Sequence, residues 1–455
     1  MKSKLLKLLK CAGFSLLGLV SLYVILSLWS AWKLRQAYAA LEKDGRPMDL
    51  SQVIPSWLEK MDNAAPVYQA AIQLLGSKKV ASIVPERKSV LVELYRATEA
   101  FLVDQATPES AAAAATLRKW FKDPVVAMIL REVETATAKP CRYYLDYSQG
   151  SNMRVEHLGS NKMLMTILCA KARLLAADGD AAAAWDTAIC SLHFADASKN
   201  EPILISQLVR IAEVWKGLET IQYLARTSLP SPTQQKELDE AFKSFNDVKP
   251  LVLAMDGERL QTGEWIFNLS LKESLNIFST DILSLGPPIW LPQSKIGGYA
   301  VYFSPLFQYD HAVYVDLMRQ HAQAASQPYS PETLRQIEAC ESVIPGYCVW
   351  SRALRSSFSQ EKNTFTRFYA QTAVIRAGLA VLRYKQANDA YPQSLAATGL
   401  TEIADPFTQK PLIYKLAEKG FLVYSVGQNL KDDGGTAIGG INNFPLDIAW
   451  EYKAP

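Results

Sequence analysis

The chain has 455 residues, 49% hydrophobic and 20% charged, a composition that calls for a folded core and excludes a disordered chain. The net charge is +3 and no basic tract occurs beyond the N-terminus, which argues against nucleic acid as a partner. The length leaves room for two or three domains.

Residues 1–10 form a basic tail with Lys2, Lys4, Lys7 and Lys10. The next stretch, Cys11 to Trp32, holds no charged residue and predicts a transmembrane helix. At 22 residues it would span roughly 33 Å, enough for a bilayer core of ~30 Å. Trp29 and Trp32 stand at its far end, where amphipathic rings favour the interface. The lysine excess before the span places the N-terminus in the cytoplasm and the bulk of the chain outside. A cleaved signal peptide is the alternative, but its apolar region would be shorter and would end in a small-x-small site.

Residues 33–362 are expected to form a helical extracytoplasmic domain, as a helical-hairpin bundle or an irregular solenoid. Residues 33–45 continue the membrane helix outward. Asp62 or Asn63 can cap a helix with Pro66 in its first turn. Further helices are predicted from about Glu86 to Val103, after Thr107 to Ser110, and from Asp123-Pro124 to about Thr137. Residues 139–160 break the pattern and suggest an ordered loop. Lys162 to Ala177 and Ala181 to Ala197 form a helical hairpin around Asp178-Gly179-Asp180. This hairpin resembles one tetratricopeptide-type unit, with no 34-residue period around it. Helices follow over Glu201–Arg226, Pro232–Phe245 and from Lys249-Pro250. Asp256, Glu258 and Glu264 on that last helix read as a solvated face with i,i+4-type pairing. Residues 276–306 are irregular and rich in proline, glycine and large apolar side chains. They suit a packed loop, with an interfacial or partner-binding segment as the alternative. Helices resume at about Leu306–Ala325 and Pro331–Glu341.

Six cysteines are present, without a C-x-x-C pair. Cys340 and Cys348 flank a bend at Ile344 to Gly346 and are the best candidates for a disulfide outside the cytoplasm. Cys169 and Cys190 would lie level on the hairpin, where small buried core residues are the simpler reading. His157, His193, His311 and His321 show no metal-binding spacing and read as surface or capping residues. Ser359 and Lys362 fit S-x-x-K, a weak four-residue match. No nucleophile elbow, Walker loop or dinucleotide fingerprint occurs, so the chain is expected not to be an enzyme.

A last helix over about Asn363 to Gln386 carries Phe365, Phe368, Thr372, Ile375, Leu379 and Leu382 on one face. Leu412–Leu416 and Gly420–Ser425 then read as strands joined by a tight turn at Ala417-Glu418-Lys419, and Asp447 opens a third. Residues 363–455 therefore form a small α+β domain with a short antiparallel sheet.

YPQSL from Tyr391, ADPFTQKPLIY from Ala404, FLVYSVGQNLKDDGG from Phe421 and DIAW from Asp447 together resemble the globular domain of the major pseudopilin of type II secretion. That family binds calcium in the loop matched by Phe421 to Gly435. Here Asp432, Asp433 and Asp447 offer carboxylates, while Asn429, Asn442 and Asn443 offer amide oxygens; the hard oxygen donors suit calcium. Glycines 434, 435, 439 and 440 let the chain curl. Asn429 and Leu430 stand where the family has Asp-Gly, so a solvated glycine-rich turn is the alternative. The basic leader before Gly13 also resembles a prepilin cleavage site, but Gly18 stands where that family has its glutamate, so assembly into a filament is not expected.

The whole chain resembles single-pass bacterial envelope proteins that join one membrane helix and a helical domain to this tail. The resemblance is one of architecture and implies no activity. The anchor and its lysine excess imply an inner-membrane protein, N-terminus cytoplasmic and bulk periplasmic, and with the helical-hairpin composition and the absent catalytic motifs they lead to the expectation of a non-catalytic binding or scaffolding role towards an envelope protein partner. The alternatives are an accessory component of a type II secretion or pilus-like assembly, and an unrecognised envelope enzyme.

Overall fold

The computed structural model describes residues 2–77, 90–102, 107–279, 295–355, 357–400, 403–436 and 447–454. The chain is mainly helical, with one small C-terminal sheet. Its packing makes two compact units, each assembled from separate parts of the sequence. The first holds residues 1–54, 147–153 and 252–359; the second holds 55–146, 154–251 and 360–455. The boundary expected at 362 falls near the start of one of these parts, but the tail does not stand alone. It belongs to the unit that also holds most of the preceding helices.

The first unit is built on α1 (Lys2–Lys43), one unbroken helix. It is long and apolar enough to cross a membrane, and its most apolar window is not buried against the protein. The character of α1 changes along its length. From Phe14 to Leu28 its large apolar side chains are exposed, whereas Ala37 and Leu41 are buried. They pack with Ala312 and Val315 of α13 (Phe307–Ser326), with Leu34 and Tyr38 at the edge. Contacts ascend together along both helices: Trp29 stacks on Tyr309 at 4.8 Å, Tyr38 meets His311, and Arg319 reaches Asp44 at 2.7 Å. The two helices thus run parallel, away from the exposed apolar stretch.

Four further helices belong to the first unit. They are α10 (Lys249–Glu258), which enters this unit at Val252, α11 (Leu271–Ser279), α12 (Lys295–Tyr302) and α14 (Pro331–Ser342). A short α15 (Val349–Leu354) begins where the buried Asp310 accepts the Trp350 and Ser351 amides at 2.9 Å each. That carboxylate satisfies the donors a helix start leaves open. Within the 276–306 segment, residues 276–279 and 295–302 are helical and 303–306 form a turn; residues 280–294 lie outside the described residues.

The second unit opens with α2 (Ala65–Gly76), where Asn63 accepts the Ala65 amide at 3.1 Å. The helix predicted from Glu86 is α3 (Val90–Leu102), its first residues lying outside the described ones. Thr107 caps α4 (Pro108–Lys122), and Asp123 caps α5 (Pro124–Ala136) through the Val125 and Val126 amides. The hairpin is α6 (His157–Ala177) and α7 (Ala181–Ala195), turning at Gly179 with φ +92°. Asp180 caps α7 and Asp178 pairs with Arg118 at 2.6 Å. Against the hairpin lies α8 (Leu204–Leu224), close enough at Gly217 that a Cβ would come 2.6 Å from Leu192.

The helix α9 (Pro232–Phe245) meets α16 (Phe358–Asn388) through Phe245 and Phe368. Buried residues surround α16 on more than one face, including Phe365, Val374, Ile375 and Val381. A helix apolar on so much of its circumference must be covered, and the sheet covers part of it. Its strands β1 (Ile413–Ala417), β2 (Gly420–Ser425) and β3 (Ile448–Lys453) form an antiparallel meander with β2 in the centre. Trp450 of β3 seats on Gly378 of α16, where a Cβ would sit 2.1 Å from the ring.

Candidate functional site

The second unit contains a cleft of about 530 Å³. Its walls come from residues 55–58, 137–142, the end of α7 with the turn after it, and the last turns of α9. The loop at 139–160, irregular in sequence, supplies Lys139, Cys141 and Arg142. Asn63 holds this loop in place, accepting the Arg142 amide and donating to its carbonyl, both at 2.8 Å. The Arg142 guanidinium lies over the rings of Tyr144 and Trp57, at 5.3 and 6.0 Å. The Lys139 ammonium donates to the Met61 carbonyl at 2.8 Å.

On the opposite wall, Asp196 accepts from Arg210 at 2.5 and 2.8 Å and from Ser244 at 2.7 Å. Lys199 reaches both Asp196 and Ser244 at 3.1 Å. Asp196 is therefore neutralised within the wall. Lys139, Arg142 and Lys199 then outnumber Glu240, the other acid of the lining, so the cleft is more positive than the chain as a whole. His193 also lines it. The Cys141 thiol is pushed up to about 12 by burial and by the nearby Glu201 carboxylate. At neutral pH it is a protonated thiol and a poor nucleophile.

Behind Cys141 is a buried polar cluster. His157 lies 3.0 and 3.1 Å from the two oxygens of Glu201, Tyr143 stacks on His157 at 4.1 Å, and the Tyr143 hydroxyl donates to Asn161 at 2.7 Å. The Glu213 carboxyl is pushed well above the usual range by burial and by Glu201. A shallower apolar groove of about 510 Å³ runs along α2 and α5, lined by Met61, Val67, Leu74, Met128 and Ile129.

The first unit contains a second polar cluster that the sequence reading misplaced. Asp256, Glu258 and Glu264 do not form a solvated face. Asp256 is buried and pairs with Arg46, and burial raises the Glu258 carboxyl. Glu264 accepts from Tyr38 at 2.6 Å, lies 2.8 Å from His311 Nε2 and 3.3 Å from Arg259. Burial would raise its pKa, but His311, Tyr38 and Arg259 outweigh burial and hold it below the usual value. Arg259 also donates to the Pro47 carbonyl. These residues flank a π-helical turn, Arg259–Glu264, which offsets the helix register between Asp256 and Glu264. The histidines are corrected with them: His157, His311 and His321 are buried, each against a glutamate, while His193 lines the cleft.

The predicted tail loop is partly described. Asp432 accepts from the Tyr424 hydroxyl at 2.7 Å and the Gly434 amide at 2.9 Å; Asp433 accepts from the Asn429 amide group at 2.6 Å. Asp447 accepts from Gly435 with one oxygen at 2.7 Å, while its other oxygen is buried without a hydrogen-bond partner. Among the described residues, no three acidic, histidine or cysteine side chains come together as a metal-holding group. Asn442, Asn443, Gly439 and Gly440 lie outside the described residues. The expected Cys340–Cys348 bridge is not formed: Cys340 is an exposed free thiol on α14, and Cys348 is a buried free thiol packed with Leu317 and Ile344. Cys169 and Cys190 are free as well. Ser359 and Lys362 share α16, both largely withdrawn from solvent.

Comparison with protein-family models, with curated proteins and with solved structures finds no match to this chain.

Proposed function

We propose that this chain is a single-pass, membrane-anchored envelope protein whose helical body binds or scaffolds a partner outside the cytoplasm, without catalysing a reaction. The observation that carries the reading is the division of α1 into two halves. Its charge-free half is exposed and needs an apolar solvent, while its continuation is buried in the first unit. The anchor and its mount are one helix. The cleft supports a binding role, since it presents cations and hydrogen-bonding groups while its thiol is protonated. Purified full-length protein incubated with envelope substrates such as peptidoglycan should leave them unchanged; turnover would overturn the non-catalytic reading.

A second reading, an accessory part of a type II secretion or pilus-like assembly, draws on the tail. Leu430, standing where the pseudopilin family has glycine, holds a left-handed backbone with φ +57°. Asp405 of the ADPFTQKP segment accepts from Phe407, Ser425 and Val426, tying that segment to the end of β2. Co-purification with such machinery would favour this reading, and a genome without any would remove it. Calcium in the tail loop rests on the resemblance and on the Asp432, Asp433 and Asp447 carboxylates. It predicts a lower melting temperature in chelator than in calcium, and an unchanged one would remove the ion.

A further inference from the structure

Helix α12 bears an apolar stripe that the protein leaves uncovered. Ile296, Tyr299 and Phe303, at spacings of three and four, are 77%, 46% and 55% exposed, while Gly297, Gly298 and Val301 turn inward. Tyr299 and Phe303 stack at 6.3 Å, which keeps the stripe continuous. An exposed stripe of this kind calls for a partner.

The depth of α12 along the anchor identifies the partner. The Tyr23 hydroxyl donates to the Phe303 carbonyl at 3.2 Å. Tyr23 stands six residues before Trp29, or about 9 Å of helix rise. Trp29 and Trp32 mark the outer edge of the apolar stretch, because the Lys33 ammonium, its first charge, lies over both rings at 6.0 and 5.2 Å. Helical side chains also lean towards the N-terminus, so the Tyr23 hydroxyl points deeper still. The end of α12 therefore lies on the membrane side of Trp29, at a level where the anchor is surrounded by hydrocarbon.

The hydrogen bond itself fits this depth. Phe303 follows the last residue of α12, so its carbonyl is one of those a helix end leaves without a partner. In water that group needs no help; in hydrocarbon it must be satisfied by protein. Tyr23 does so from within the charge-free stretch. Farther out, Trp29 stacks on Tyr309 as α13 leaves the apolar zone.

We propose that α12 is embedded in the outer leaflet of the bilayer that α1 crosses, with Ile296, Tyr299 and Phe303 in contact with lipid. The first unit is then held by an anchor and a second, shallow foot, which fixes its orientation on the membrane. The inference rests on the reading of α1 as a transmembrane anchor.

The test is site-specific photocrosslinking in the full-length protein, reconstituted in vesicles of phosphatidylethanolamine and phosphatidylglycerol. A benzophenone amino acid replaces Leu28 on the anchor, Ile296 or Phe303 on α12, or Glu332 on α14 as the water-facing control. Lipid adducts are expected at Leu28, Ile296 and Phe303 and lost at Glu332. Adducts at Leu28 with none at Ile296 and Phe303 would overturn the proposal while sparing the anchor. Adducts to a second copy of the chain at those two positions would overturn it as well. Absence of lipid adducts at Leu28 would reject the anchor and the proposal with it. Ile296 and Phe303 are separate variants, so a reconstitution failure in one leaves the other to decide.

Discussion

Two residues in the second unit carry conformational or electrostatic costs that substitution can measure. Leu430 occupies the left-handed region at φ +57°, which costs a side-chain-bearing residue ~1–2 kcal/mol, partly offset because glycine loses more entropy on folding. Leu430→Gly is therefore expected to keep or raise stability by up to ~1 kcal/mol in a denaturant titration. A clear loss would mean that the half-exposed Leu430 side chain packs more than it strains. Lys362 is 4% exposed, and burial lowers its pKa from 10.5 to about 8. Below pH 8 the folded state carries a disfavoured charge; as pH rises towards 10.5 the unfolded state binds more protons and this penalty disappears. Relative to Lys362→Met, the wild type should then gain stability as pH rises between 8 and 10.5. Melting temperatures of both proteins across that range would check the sign, and a difference that does not change with pH would contradict the assignment.

At the scale of elements, what the sequence made legible follows from how local each signal is. Thr107 and Asp123 announce helix starts because an N-cap acts on amides two or three residues away. The strand pair 413–417 and 420–425 is visible because alternation and a two-residue turn are local too. Pairing between distant segments leaves no such mark. Asp256, Glu258 and Glu264 look like an exposed acidic face until Arg46, Tyr38 and His311 arrive from other helices, and the π-helical turn has no composition of its own. The cleft is half legible: residues 139–160 stand out as an ordered loop, but Glu240 sits on an ordinary helical stretch and Asp196 and Lys199 at the end of one. The Glu264 cluster makes a measurable commitment. Glu264→Ala would leave the buried Arg259 and His311 without their carboxylate, a loss of ~3–5 kcal/mol for breaking such a pair. Limited proteolysis should then cut within residues 252–359 well before it cuts the wild type; equal resistance would show the cluster to be dispensable.

For the whole molecule, the central claim is that one helix serves first as membrane span and then as the mount of a folded unit. Little else in the chain is so plainly divided between two solvents: exposed apolar residues from Phe14 to Leu28, then Ala37 and Leu41 buried against α13. The discontinuous units were invisible in sequence, because a boundary near 362 is suggested by a change from helices to strands, whereas packing joins the tail to residues 55–146 and 154–251. The most direct test is fractionation of the full-length protein in a bacterial host, with alkaline carbonate extraction of membranes and protease added to spheroplasts. The chain should stay with the carbonate-washed membranes, and its bulk should be digested from outside. Release into the carbonate supernatant, or full protection of the bulk in intact spheroplasts, would contradict it.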